Sequence, residues 1–247
     1  MITYFPTIHP DELLYSLLSR YYTKSGYMAY TFAAEELFTS KTVRPEIEFV
    51  NSYTPEAIQA ITRNISMKTV IEKHTMFPYY GRFLPIERRQ KAFQGLISMT
   101  GNYRNLLPIP KNKNGRVRCL RYCPICSAND RKQYGETYWH RIHQIIGIHV
   151  CPIHHCYLVD SDVLISGKAT PSLKTAEEMI PLSESCTFSN NKTECTVATY
   201  MEKFSNLMLI WIHVLALVSF FIPKCLIPRI VLYVVNNEIL RSFIRIL

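Results

Sequence analysis

The chain has 247 residues, 48% hydrophobic and 19% charged, enough to bury a core in one large domain or two small ones. Glycine is scarce at 8 residues and neither GxxxxGK[ST] nor GxGxxG occurs, which excludes nucleotide binding through those loops. A net charge of +9 favours polyanionic partners, nucleic acid first, beside the plainer reading of a merely basic soluble protein.

The N-terminus, MITYFPTIHPDELL, carries no basic start, apolar run or small-residue cleavage site, so no signal peptide is read there. Without secretion, the 8 cysteines are read as metal ligands rather than disulfides.

The first predicted element is an amphipathic helix over residues 9–26. Pro10 suits the first turn, and Asp11 and Glu12 suit the positive helix end. Leu13, Leu14, Leu17, Leu18, Tyr21 and Tyr22 recur at helical spacing, and Gly26 offers a stop. A second helix is expected over residues 30–39. Thr54 then caps a helix with Pro55 at its first position and Ile58, Ile61 and Ile65 along one side. Ser66 caps another that carries Val70 and Ile71. The pair is compatible with a helix-turn-helix, and equally with an ordinary helical hairpin that packs the core. Pro85 opens a further helix that ends near Gly101.

From residue 104 to 121 the character changes. Arg104, Lys111, Lys113, Arg116, Arg118 and Arg121 follow one another with no acid between them. Pro108, Pro110, Asn112, Asn114 and Gly115 make the stretch a loop. Lys111, Lys113, Arg116, Arg118 and Arg121 are candidate phosphate contacts, with a solvated charged loop as the competing reading.

The loop runs into CPIC at 123–126, and after 24 intervening residues CPIH follows at 151–154. Each x2 spacing lets a tight turn aim two ligands at one ion, and each turn has proline after its first cysteine. Cys123, Cys126, Cys151 and His154 would supply three thiolates and one imidazole, a tetrahedral set suited to one structural Zn²⁺ per chain. Four protein ligands leave no open position for a catalytic water, so the site is expected to hold a fold together. Cys119, His155 and Cys156 are nearby competitors that break the symmetry of the two tetrapeptides. Between the knuckles, short helices are expected at 127–133 and 136–146. His140 and His143 lack a third ligand, so His143 is expected as a packed residue beside the metal, and Trp139 as core.

Residues 161–205 are polar with weak periodicity and read as a linker. Residues 206–247 are apolar. The run Leu207–Ile222 is 16 residues long and broken by His213, shorter than the 20 or so that span a membrane. A buried helix, a membrane-associated segment and a truncated or out-of-frame C-terminus all fit it. The abrupt change in composition favours the last, and a membrane partner is not expected.

Three separated blocks carry a resemblance. FPTIHPDELLYSLLSRYYTKSG near the start, EKHTMFPYYGRFLP at 72–85 and RYCPICSANDRKQYGETYWHRIHQIIGIHVCPIHHCYL at 121–158 are similar to the TniQ/TnsD family, the target-selection proteins of transposons of the Tn-seven type. The resemblance spans about residues 4–160 and is nearest to the TnsD branch. It implies a mainly α fold with a helix-turn-helix-like pair and a Cys₃His zinc-knuckle or ribbon subdomain. It divides the chain into a helical region at 1–105 and a zinc region of the same domain at 106–160. It implies a bacterial, cytoplasmic adaptor without chemistry of its own. Such a protein binds an attachment site in DNA, or docks on a targeting complex, and recruits a TnsC-like AAA+ ATPase regulator. Cys123, Cys126, Cys151 and His154 match the family's zinc ligands. A stand-alone zinc-stabilised DNA-binding regulator is the alternative. An enzyme ranks third, since no open metal site, nucleophile elbow or phosphate loop is present.

Overall fold

A computed structural model describes residues 2, 4–100, 102–109, 118–165, 172–203 and 205. The chain divides into two compact units, Met1–Ser205 and Asn206–Leu247. The apolar tail expected at 206–247 lies outside the described residues, so none of its three readings meets a structural observation. Among the described residues no helix is long and apolar enough to cross a membrane.

The first unit is helix-rich. Helix α1 (Leu14–Ser25) is buried all round over residues 14–21, Leu14, Leu17, Leu18 and Tyr21 among them, and stops at Gly26, whose φ of 69° is the left-handed conformation that glycine adopts without steric cost. It starts later than its sequence suggests. Pro10, Asp11 and Glu12 precede the helix, and Leu13 is its N-cap. The reason is long-range. Asp11 sits at φ 55° because its backbone and carboxylate are both engaged. Its carbonyl accepts from the Arg141 backbone N–H at 2.8 Å. Its Oδ1 accepts from Arg141 Nε at 3.1 Å and its Oδ2 from the Ile142 N–H at 2.9 Å. Those bonds outweigh the helix-start signal of Pro-Asp-Glu.

Helix α2 (Tyr30–Leu37) packs on α3 (Pro55–Ile61), which the Thr54 hydroxyl caps by accepting from the Ala57 N–H. Ser66 caps α4 (Met67–His74) in the same way at Thr69. Helix α4 packs on α5 (Phe77–Gly81) and α6 (Ile86–Ile97). The α3–α4 connection therefore sits between two different packing partners. An aromatic layer joins these helices, with the Phe49 ring 5.7 Å from both Tyr80 and Tyr103.

Strand β1 (Cys119–Tyr122) pairs antiparallel with β2 (Val159–Leu164) in a two-stranded sheet, Arg121 opposite Asp160 and Tyr122 opposite Val159. Helix α7 (Pro124–Tyr134) follows β1 directly and ends at Gly135, φ 81°. The helix expected at 136–146 does not form. Residues after Gly135 run extended and then turn through a 3₁₀ segment at Ile142–Gln144. Their backbone groups are taken by distant partners. The Thr137 N–H donates to Glu177 Oε2, the Trp139 N–H donates to Ser16 Oγ, and the Trp139 carbonyl accepts from the Leu13 N–H. A bridge pairs His140 with Glu12. Those cross-links offset the helical bonds the segment forgoes.

The stretch expected as a linker, 161–205, carries part of β2, helix α8 (Ala176–Met179) and a helix over 192–203. It packs on the rest of the unit. Trp139 Nε1 donates to the Lys174 carbonyl at 3.0 Å, and Arg131 pairs with Glu177 at 2.9 Å. Beside these charged and backbone contacts it buries a short apolar set, Leu173, Ala176 and Ile180.

Candidate metal centre

The two tetrapeptides reach one point from different local structures. In the first, Cys123 is the N-cap of α7 and Pro124 occupies its first turn. Cys123 Sγ accepts from the Cys126 N–H at 3.4 Å. A thiolate here lies at the positive end of a helix, which favours its charged form. In the second, CPIH forms a turn that closes with His155 in the left-handed region, φ 56°. The His155 N–H donates to the Cys151 carbonyl, and Cys151 Sγ accepts from the His154 N–H at 3.4 Å.

Cys123, Cys126, Cys151 and His154 bring one ligand atom each to within 4.8 Å of one another, and this group could hold a metal ion. All three cysteines are buried. His154 Nδ1 lies 3.5, 3.3 and 3.7 Å from the sulfurs of Cys123, Cys126 and Cys151, and the Cys126 and Cys151 sulfurs are 3.8 Å apart. A tetrahedral ion held at about 2.3 Å from sulfur and about 2.0 Å from nitrogen requires edges of about 3.8 Å between sulfurs and about 3.5 Å from sulfur to nitrogen. Those four separations lie near these values, and all the donor atoms lie within 4.8 Å of one another.

Electrostatics agree with a site built for thiolates. Hydrogen bonds from Cys126, Cys151 and Cys156 drive the Cys123 thiol far below its ordinary range, so it is the first to ionise. The neighbouring Cys126 thiol moves up, because it donates to Cys123 and sits beside the same negative charge. Cys151 is pushed up to about 12 for the same reason. Three sulfurs in one buried pocket cannot all ionise without a compensating cation.

The competitors fall outside the group. Cys119 lies on β1 opposite Leu164. His155 turns to Thr199, 3.4 Å away. Cys156 is buried and touches Cys123, with 3.3 Å between the sulfurs. His143 stands beside the site as expected, its Nε2 3.8 Å from Cys151 Sγ, and burial holds its pKa well below normal. His140 serves elsewhere. Burial alone would lower its pKa, but Asp130, 2.9 Å from its Nε2, raises it.

The described part of the basic loop is occupied within the fold. Arg104 pairs with Glu46. Arg118 pairs with Glu48 at 2.7 Å and also donates to Tyr80. Arg121 donates to the carbonyls of Ile148 and Ile145 at 2.6 and 2.8 Å. Lys111, Lys113 and Arg116 lie outside the described residues.

Sequence reasoning did not foresee the junction that ties α1 to the metal region. Arg20 is buried, pairs with Glu12 at 3.0 Å and reaches Glu136 at 3.0 Å. His74 Nδ1 lies 2.7 Å from the Glu12 carbonyl. Asp11, Glu12 and Arg20 all fall in the first of the quoted blocks and Arg141 in the third, but no spacing rule links acids and bases 130 residues apart.

A helix-rich scaffold with a buried group of three cysteines and one histidine that could hold a metal ion defines the class. Within that class the family is definite. The sequence model of the TniQ family matches residues 3–158, and the chain belongs to that family. The chain is also 26% identical over 157 residues to the transposon Tn7 transposition protein TnsD of Escherichia coli, a match that covers 61% of this chain and 30% of the relative. The chain thus aligns with less than a third of that relative's length.

Proposed function

We propose that the protein is a target-selection adaptor for transposition, which engages DNA or a DNA-bound targeting complex and recruits an AAA+ ATPase regulator. The observation that carries this reading is the family match over residues 3–158, which takes in all four clamp residues. Zn²⁺ is the ion proposed for the clamp, because three thiolates and an imidazole in a closed tetrahedron suit a soft, redox-silent cation. Its role is structural. Cys123 and Cys126 fix the start of α7, Cys151 and His154 fix the following turn, and together they hold β1, α7 and the Trp139 segment in place.

DNA contact is assigned to the basic loop. The internal bonds of Arg118 and Arg121 favour an anchoring role for these two. Lys111, Lys113 and Arg116 are then the main phosphate contacts, and the α3–α4 pair is the helix-turn-helix element of the reading. Neutralising Lys111, Lys113 and Arg116 together should weaken binding on all DNA sequences alike and flatten its salt dependence, without lowering thermal stability. Arg118→Ala should lower stability through the unpaired Glu48.

The test is co-purification of the full chain with the ATPase regulator of the same transposon on DNA. Retention of the ATPase only when the protein and DNA are both present is the expected result. DNA binding without ATPase retention would instead indicate a stand-alone regulator.

A further inference from the structure

A fourth buried sulfur stands beside the three of the clamp. Cys156 is fully buried, and its Sγ lies 3.3 Å from Cys123 Sγ. It does not belong to the group whose ligand atoms lie within 4.8 Å of one another. Its position is set by backbone. The Cys156 carbonyl accepts from the Cys151 N–H at 2.7 Å, and a bridge pairs Cys156 with Phe188. These bonds hold the thiol against one ligand while His154, two residues earlier, supplies the imidazole corner.

Three thiolates around a divalent cation leave one net negative charge in a buried pocket. Such a charge needs hydrogen-bond donors around it. Backbone supplies two, the Cys126 N–H to Cys123 and the His154 N–H to Cys151. A side chain near each of the same sulfurs could add another, His143 beside Cys151 and Cys156 beside Cys123.

We infer that Cys156 is a positioning residue of the clamp, its S–H donating to the Cys123 thiolate and so retaining the metal without binding it. This inference rests on the metal reading proposed above. Held 3.3 Å away, the S–H fixes the Cys123 sulfur at its corner of the clamp and covers it from a competing ligand, so the donor slows release.

The test uses the full chain loaded with Zn²⁺ or Co²⁺, as wild type, Cys156→Ala, Cys156→Ser and His154→Ala. Cys156→Ala should keep one metal per chain and leave the visible spectrum of the Co²⁺ form that of three sulfurs and one nitrogen. Its transfer of Zn²⁺ to a chelator should be about tenfold faster or more, the scale on which outer hydrogen-bond partners act. Cys156→Ser, which keeps a donor, should recover most of the wild-type rate. Loss of metal or of a Co–S band in both Cys156 variants would make Cys156 a ligand and overturn the inference, as would release unchanged in Cys156→Ala. His154→Ala that keeps one metal with a four-sulfur spectrum would overturn it too. A wild-type chain that binds neither ion would overturn the metal reading itself, a result distinct from all of these.

Discussion

The two halves of the first unit are stabilised by different physics. The N-terminal half, α1 to α6, has an aliphatic and aromatic core in which Leu13, Leu17, Leu18, Leu37, Phe49, Ile71, Phe77 and Tyr80 are almost wholly buried. The half from β1 onward has short elements, one two-stranded sheet and a cluster of cysteines at its centre. The N-terminal half rests on that apolar core. The half from β1 onward buries Leu120, Trp139, Ile145 and Val150 and adds a buried group of three cysteines and a histidine that could hold a metal ion. The comparison implies that metal removal and core truncation act on different halves, and that the junction at Asp11, Glu12, Trp139 and Arg141 transmits damage between them.

The largest expected effect is on the clamp. Cys126→Ala should remove the bound metal and destabilise the chain by more than about 4 kcal/mol, since one ligand short of four the buried thiolates lose their counter-charge. Cys119→Ala should retain one metal per chain. Metal analysis with thermal melts separates the two, and equal metal loss in both would displace the ligand assignment.

Next comes the junction. Trp139 is fully buried and bonded through both its backbone and its indole N–H. Trp139→Ala should cost about 3–5 kcal/mol in denaturant unfolding with metal still bound. A cost below about 1 kcal/mol would mean that the two halves are mechanically independent. Arg20→Met follows on the same scale, about 3–5 kcal/mol, because it strands the buried Glu12 carboxylate. Burial already pushes the pKa of Glu12 up, against the pull of Arg20. The double variant Arg20→Met, Glu12→Gln should therefore recover part of the loss. A double variant no better than Arg20→Met alone would assign the damage to lost packing.

The smallest effect is a pH slope. His9 stacks on the ring of Tyr138 and touches the tilted ring of Tyr134, and its pKa is lowered to about 4 by burial and then by Arg20. The folded state therefore binds its proton less readily than the unfolded chain. Stability from this group is complete above about pH 6.5 and falls as pH drops from 6.5 towards 4. His9→Phe keeps the stack and should flatten that part of the curve relative to wild type. Metal release steepens both curves alike, so the difference between them is the quantity to read. Identical slopes would mean that another histidine, such as the buried His74, dominates.

Local chemistry was legible where it is self-contained. Thr54 and Ser66 cap the helices their spacing promised, Gly26 ends α1, and two CPI-x turns point to one ion without any knowledge of the fold. The misreadings share one cause. Pro10-Asp11-Glu12 carries a helix-start signal, but Asp11 is bound by Arg141 in another part of the chain. Residues 136–146 have helical spacing, but their backbone groups are claimed by Leu13, Ser16 and Glu177. Residues 161–205 look like a linker, because their buried apolar residues, Leu173, Ala176 and Ile180, are few among polar ones and their ties through Glu177 and Lys174 reach partners distant in sequence. Arg118 and Arg121, read as candidate phosphate contacts, also bond within the fold, to Glu48 and to the carbonyls of Ile145 and Ile148, partners too distant in sequence for a local pattern to show.

By itself, then, the sequence determined the ligand types, their spacing and the helices whose caps and stripes lie within a few residues, since those depend on local covalent geometry and short-range hydrogen bonds. Only the tertiary structure decided which charges are internal and that Cys156 lies against Cys123. Those outcomes depend on partners up to 130 residues away, and no local pattern encodes such a pairing.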